Sequence, residues 1–197
     1  MSQVFNKKGL ISLVSAQLEK RGCKVINAKG DADVDIVKTA VDSSHRHSTT
    51  VIGEDTDLLI LLLHYADTDP DINDLYFRSD KTDAANVHDI RKLKLIIGPE
   101  LCSQLLFIHA FTGCDSTSRI FGIGKKTAFQ KLVNSQATIK KCANCFILPN
   151  QTANIIMDLG NKAMAAMFGD DSSSNLEKLR YNTLVKKNNN SQDLCSP

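Results

Sequence analysis

The sequence has almost no net charge, no long apolar run and no apolar leader at its start. Its 197 residues carry 24 Lys and Arg against 22 Asp and Glu, a net charge of only +2, so any attraction to nucleic acid must be local. The longest apolar stretch, Leu58 to Leu63, is far shorter than the roughly 20 residues that span a bilayer. Charged residues interrupt the N-terminal segment too early for a signal peptide. These absences exclude membrane-spanning and secreted classes and indicate an intracellular protein without a membrane partner.

Glutamate is also scarce. Of the 22 acidic residues only Glu19, Glu54, Glu100 and Glu177 are glutamate, and the other 18 are aspartates. Aspartate forms helices poorly and is a common ligand of hard cations, so the positions where it clusters are the first candidates for a site.

Six cysteines are present, and in a reducing intracellular compartment they are expected to be free thiols. Cys142 and Cys145 have the spacing of a zinc-ligand pair. No second Cys or His pair follows them, so ordinary thiols are the expectation there as well.

The N-terminal half alternates helical and strand-like segments. Apolar residues at helical spacing predict helices at 8–21 and 31–41, and short apolar runs predict strands at 24–28, 49–53 and 75–78. Strands that are apolar throughout and alternate with helices favour an α/β fold, with a parallel sheet flanked by helices.

Beyond the second strand the pattern is mainly helical. Residues 58–65 fit either a helix or an extension of the strand before them. Further helices are predicted at 87–95, 100–111, 125–133, 153–168 and 176–185.

Aspartates follow the first two predicted strands. Asp31 and Asp33 come after the first strand, Asp55 and Asp57 after the second, and Asp115 after the helix at 100–111. Ligands of open parallel sheets bind beyond the carboxyl ends of the strands, so the two pairs are expected at one rim. Carboxylates gathered without histidine favour Mg²⁺ or Mn²⁺, and two such ions about 4 Å apart can activate water for phosphodiester hydrolysis.

Each aspartate pair also has a simpler interpretation. Aspartate at a helix N-terminus caps free N–H groups, and Asp-x-Asp after a strand is common in loops. Taken singly, each pair fits this structural role better, so the metal-site hypothesis depends on their convergence.

A basic segment with several glycines follows the acidic motifs. Gly122 and Gly124 allow close approach of the backbone to a phosphate, and the helix predicted after them offers N–H groups and the positive end of its dipole. The basic residues of the segment are Arg119, Lys125, Lys126 and Lys131. This set suits a nucleic-acid backbone without base specificity. The alternative is a solvated helix face preceded by an ordinary glycine turn.

Three blocks, in this order, resemble the PIN-like domain of the flap endonuclease (XPG-type) nucleases. They read GDADVDIV at 30–37, GEDTDLL at 53–59 and GCDSTSRIFGIGKKTAF at 113–129. The third is the most specific, because it is similar to the helix-two-turns-helix signature of that family. The resemblance covers roughly residues 10–140. It implies a PIN-like parallel sheet flanked by helices and a metal-dependent, structure-specific hydrolysis of DNA phosphodiesters with Mg²⁺ or Mn²⁺.

The resemblance also assigns roles and segments. Asp31 and Asp33 stand at the paired Glu positions of the family, Asp55 and Asp57 at its paired Asp positions, and Asp115 at its later single Asp, all of them metal-ligand or metal-shell positions in active members. The implied partner is branched or duplex DNA, and the implied location is the nucleus. The resemblance implies an α/β nuclease core at 1–112 and a helix-two-turns-helix element at 113–145, while the sequence pattern predicts a helical extension at 146–185 and its polar, asparagine-rich composition a disordered tail at 186–197.

The chain departs from this family near its start. Active members carry two upstream aspartates, one of them at the end of a central strand, whereas Asp31 is the first aspartate here. The central strand and part of the metal site are therefore expected to be missing, as in a fragment or a degenerate copy of a nuclease-like protein. A sheet without its central strand exposes unpaired backbone edges.

Two alternatives to an active nuclease remain open. One is a catalytically inactive module that binds nucleic acid or another partner. The other is a haloacid dehalogenase-type phosphatase, which the segment 51–57 resembles, although Leu58 and Leu59 replace the Thr or Val of that family. His109, in an apolar run, is interpreted as a core histidine rather than a catalytic base.

Overall fold

The computed structural model describes residues 2–79, 86–114, 117, 120, 122–134, 137–169 and 176–192. The first half of the chain contains α1 (Ser2–Lys20), α2 (Asp33–Ser44), β1 (Thr49–Ile52), α3 (Thr56–Tyr65), β2 (Leu75–Ser79) and β3 (Asn86–Asp89). The second half contains α4 (Ile90–Ile97), α5 (Pro99–Thr112), α6 (Lys125–Val133), α7 (Ala137–Ile147), α8 (Ala153–Phe168) and α9 (Leu176–Gln192).

The sheet is small and mixed rather than parallel. In the described part of the chain it has three strands in the order β1-β2-β3, with β1 parallel and β3 antiparallel to β2. The predicted helix at 87–95 is wrong in its first turn, because Asn86–Asp89 pair with β2 and the helix begins only at Ile90. Asp89 caps that helix by accepting the N–H of Lys92 at 3.0 Å. The α/β class is confirmed, and helices flank the sheet.

One core joins the sheet to α2, α3 and α4. Val51 and Phe77 lie opposite each other on β1 and β2 and are both buried. Leu58 and Leu62 are buried one turn apart on α3, so the segment that fitted either a helix or a strand is a helix.

A second core lies among the C-terminal helices. It is built from buried residues of α5 to α8, including Phe107, Leu132, Ile139 and Met167. The middle of α5 connects the two cores, since Cys102 and Leu105 belong to the first core and Phe107 to the second. Cys142 of α7 is packed in the second core, and burial raises the pKa of its thiol.

The predicted strand at 24–28 is wrong. Residues 23–28 form neither helix nor strand, and a groove of about 450 Å³ separates Lys24, Ile26 and Ala28 from β1. A strand exists only when its backbone groups find a partner, and this segment makes no ladder with β1.

The outer edge of β1 is consequently open in the described structure. Thr49 and Gly53 donate their N–H groups to carbonyls beside β2, at 2.9 and 3.0 Å. Backbone groups alternate in direction along a strand, so those of Thr50 and Ile52 face the groove. Ile52 is 68% exposed.

The helices at the two ends of the chain are packed less closely against the rest of the structure. The apolar residues Leu10, Leu13 and Leu18 of α1 are all exposed. At the other end, α9 continues past Val185 to Gln192, into the segment expected as a disordered tail, and residues 193–197 lie outside the described residues. No single described helix is long and apolar enough to cross a membrane, and α4 and α5 pass that test only as a pair bent by 96°.

Candidate nucleic-acid interface

The turn between β1 and α3 positions the second acidic motif. A Cβ atom on Gly53 would stand 2.7 Å from Cδ1 of Leu58 and 3.5 Å from Cε2 of Phe77, so a larger residue in this close turn would force the buried Leu58 side chain to shift. The turn places Asp55 at the N-cap of α3, where its Oδ1 accepts the N–H of Asp57 at 3.0 Å. Asp55 therefore fills the capping role that the simpler interpretation predicts.

The carboxylate of Asp57, near the start of α3, contacts one residue of α5 and one of α6. Its Oδ2 lies 3.2 Å from Nε2 of His109 on α5, and its Oδ1 accepts a hydrogen bond of 3.5 Å from Nζ of Lys125 on α6. The side chain of Asp57 is only 16% exposed and that of His109 only 9%. The acidic motif after β1 and the basic motif at α6, far apart in sequence, are thus neighbours in space.

His109 is buried, as its position in an apolar run indicates, yet it also contacts the acidic motif. It lies in the last turn of α5, where the helix dipole favours a positive charge. Its Nδ1 is buried without a hydrogen-bond partner in the described part of the chain. Sequence reasoning missed this contact, and the one available signal was a histidine one turn before the glycine that ends the helix.

Among the described residues, no side chain caps the N–H groups at the N-terminus of α6. Gly124 is the N-cap residue and provides no side-chain cap, whereas Asp55 and Asp89 cap α3 and α4. A Cβ atom on Gly124 would meet nothing within 4 Å, so the space beside the helix end is open. Gly122 has φ +81°, a left-handed conformation that favours glycine.

Two adjacent lysines reinforce the positive end of this helix. Lys125 and Lys126 are its first two residues, and both are exposed. The arrangement of free N–H groups, dipole and ammonium groups attracts an anion such as a phosphate.

Of the other predicted basic residues, Lys131 is not brought to this point. Lys131 is half-buried in the last turn of α6, about 9 Å along the helix axis from Lys125. Arg119 and the predicted metal ligand Asp115 lie outside the described residues.

The first acidic motif occupies the start of α2. Asp31 is exposed, and its Oδ1 accepts the N–H of Asp33 at 3.3 Å. Ala32, between these two aspartates, and Ile52, at the end of β1, line the same groove, so both acidic motifs begin near one edge of the sheet. The described contacts do not join the carboxylates of the two motifs.

The described donors do not fit a complete two-ion site for Mg²⁺ or Mn²⁺. Within the ranges that the structure describes, no three His, Cys, Asp or Glu side chains converge to hold a metal. Both oxygens of Asp57 already face positive or hydrogen-bonding groups, and one oxygen each of Asp31 and Asp55 accepts a backbone N–H group. A two-ion site would need further carboxylates, with Asp115 as the candidate from the sequence.

Comparison of the chain with protein-family models, curated proteins and solved structures finds no match. The local chemistry of the site is therefore the basis for assigning a function.

Proposed function

We propose that this chain is a nuclease-like domain, of PIN-like fold, that binds the phosphate backbone of branched or duplex DNA at the N-terminus of α6. The observation that carries the proposal is the contact of Lys125 with Asp57. It links two of the three sequence blocks that resemble flap endonuclease motifs. A nuclear location goes with this proposal.

Asp57 has a positioning role in this proposal. Its carboxylate, held between His109 and Lys125, orients the first lysine of α6 beside the uncapped N–H groups. Lys126 makes no ion pair with any residue in the described ranges, so its charge is available to a phosphate. Contacts of this kind read the backbone and not the bases, and they weaken with salt.

A binding experiment with a matched charge control tests the proposal. Fluorescence anisotropy of a labelled branched DNA would compare the native chain with Lys125→Ala/Lys126→Ala. The control is Lys7→Ala/Lys8→Ala, which removes the same charge from two adjacent exposed lysines of α1. We expect the α6 variant to weaken binding about tenfold or more, and the α1 variant to change it little. Equal effects of the two variants would contradict a specific role for α6.

Metal-dependent hydrolysis of the bound strand with Mg²⁺ or Mn²⁺ is the second candidate. The observation that favours it is the contact of Asp57 with the first residue of α6, two residues after Asp55 at the N-cap of α3. Asp55→Asn provides a sharp test, because asparagine also caps helices while lacking the negative charge. If Asp55 takes part in hydrolysis, this variant abolishes cleavage of labelled branched DNA in Mn²⁺ without lowering the free energy of unfolding. Absence of cleavage together with salt-sensitive binding supports the binding module alone.

A further inference from the structure

An apolar cavity of about 320 Å³ opens beside the N-terminus of α6. Its walls come from α3, α5 and α6 and include Leu59, Ile60, Ile108 and Phe129. Cavities of this size with mostly apolar walls and a few polar groups typically hold small molecules. The proposed contact with a phosphate backbone does not use these walls.

The chemistry of the walls narrows the ligand class. Apart from Thr56, His109 and two lysines, the described lining is apolar and offers few hydrogen-bond partners to the ring nitrogens and carbonyls of a nucleobase, whose burial there would be costly. This lining suits a hydrocarbon chain or a phenyl group, which gains free energy on leaving water.

The same cavity is lined by two cations. Lys125 and Lys126 both contribute to it, next to the uncapped N–H groups of α6. Lys125 is shared with Asp57, whereas Lys126 has no acidic partner among the residues described. A cavity with apolar walls and two lysines at its rim suits a molecule that has an apolar body and one anionic end.

We propose that this cavity binds an amphipathic anion. The apolar group of the ligand lies between α3, α5 and α6, and its carboxylate or phosphate contacts Lys125 and Lys126. The anionic end would use the same ammonium groups as a nucleic-acid backbone. The expectation that the two ligands compete rests on the proposed function. Binding of the amphipathic anion by itself does not depend on that function.

A set of simple probes tests the inference without nucleic acid. Methyl resonances of isotopically labelled protein would be followed by NMR during titration with octanoate, octyl phosphate, octanol and acetate. We expect saturable shifts of Ile60 and Ile108 with octanoate or octyl phosphate, and the stronger of these two identifies the preferred anionic group. Octanol, which lacks the charge, should bind about tenfold more weakly. Acetate, which lacks the chain, should leave these methyl groups unchanged.

Two variants assign the two halves of the site. Ile60→Phe fills the cavity and should abolish the octanoate shifts of Ile108, while Lys126→Ala should weaken octanoate but leave octanol unchanged. Circular dichroism checks that both variants fold, and the comparison of probes on the native chain stands even if Ile60→Phe does not. Equal binding of octanol and octanoate, or shifts located away from Ile60 and Ile108, would overturn the inference. If the native chain binds DNA but not octanoate, this inference alone is refuted. If it binds octanoate but not DNA, only the proposed function is refuted.

Discussion

The pairing of Asp57 with His109 should stabilise the fold as well as orient Lys125. Two unit charges at 3.2 Å would attract each other by about 5 kcal/mol at an effective dielectric constant of about 20. Desolvation of two largely buried side chains offsets most of this energy. We therefore expect a net coupling free energy of about 1–2 kcal/mol.

A double-mutant cycle measures this coupling. Asp57→Asn, His109→Gln and the double variant keep the side-chain sizes similar while removing the charges. Urea unfolding followed by circular dichroism suits a chain without tryptophan. Each single variant should lower the free energy of unfolding, and the double variant should lose less than the sum of the two.

Asp55→Ala serves as the comparison for this cycle. It removes a helix cap and should cost about 1 kcal/mol, because its carboxylate accepts the N–H of Asp57. Additive effects of Asp57→Asn and His109→Gln would refute the claim that this pair holds α3 and α5 together.

Three further predictions follow from the fold. Gly53→Ala should lower the free energy of unfolding by about 1–3 kcal/mol in urea titrations, because the new Cβ meets buried Leu58, whereas Gly124→Ala should have little effect; equal effects would contradict the close turn. Burial, followed by the charge of Lys94, lowers the pKa of His64, so the unfolded chain binds the proton first and stability should fall as pH drops below about 6.5. In urea unfolding of His64→Phe, this loss of stability at low pH should be absent. If the free energy of unfolding of the variant depends on pH as that of the native chain does, the prediction is wrong. The open edge of β1 should let the native chain self-associate as its concentration rises in sedimentation velocity, and Ile52→Lys, which places a charge there, should reduce this association; equal profiles of the two chains would contradict the expectation.

Local pattern was sufficient for most of the helices. The sequence pattern predicted α2, α5, α6 and α8 close to their observed bounds, and each of these helices packs apolar residues into a core. The sequence pattern failed where the structure of a segment depends on a neighbouring strand. Residues 24–28 have the composition of a strand, but composition cannot supply the strand against which they would pair.

In the candidate site, too, local features could be predicted from the sequence, whereas contacts between helices could not. The N-cap position of Asp55 follows from residue type and spacing alone. The contact of Asp57 with His109 and Lys125 depends on how α3, α5 and α6 pack, which no pattern within one helix contains. Whether Asp115 completes the carboxylate set stays a prediction from the sequence.

The salt dependence of DNA binding tests the central claim most directly. The logarithm of the binding constant falls linearly with the logarithm of salt concentration, with a slope close to the number of phosphate contacts. For Lys125→Ala/Lys126→Ala the account predicts a slope smaller by about two than that of the native chain, and for Lys7→Ala/Lys8→Ala an unchanged slope. A native slope retained by the α6 variant would contradict the assignment of the phosphate-binding site to α6.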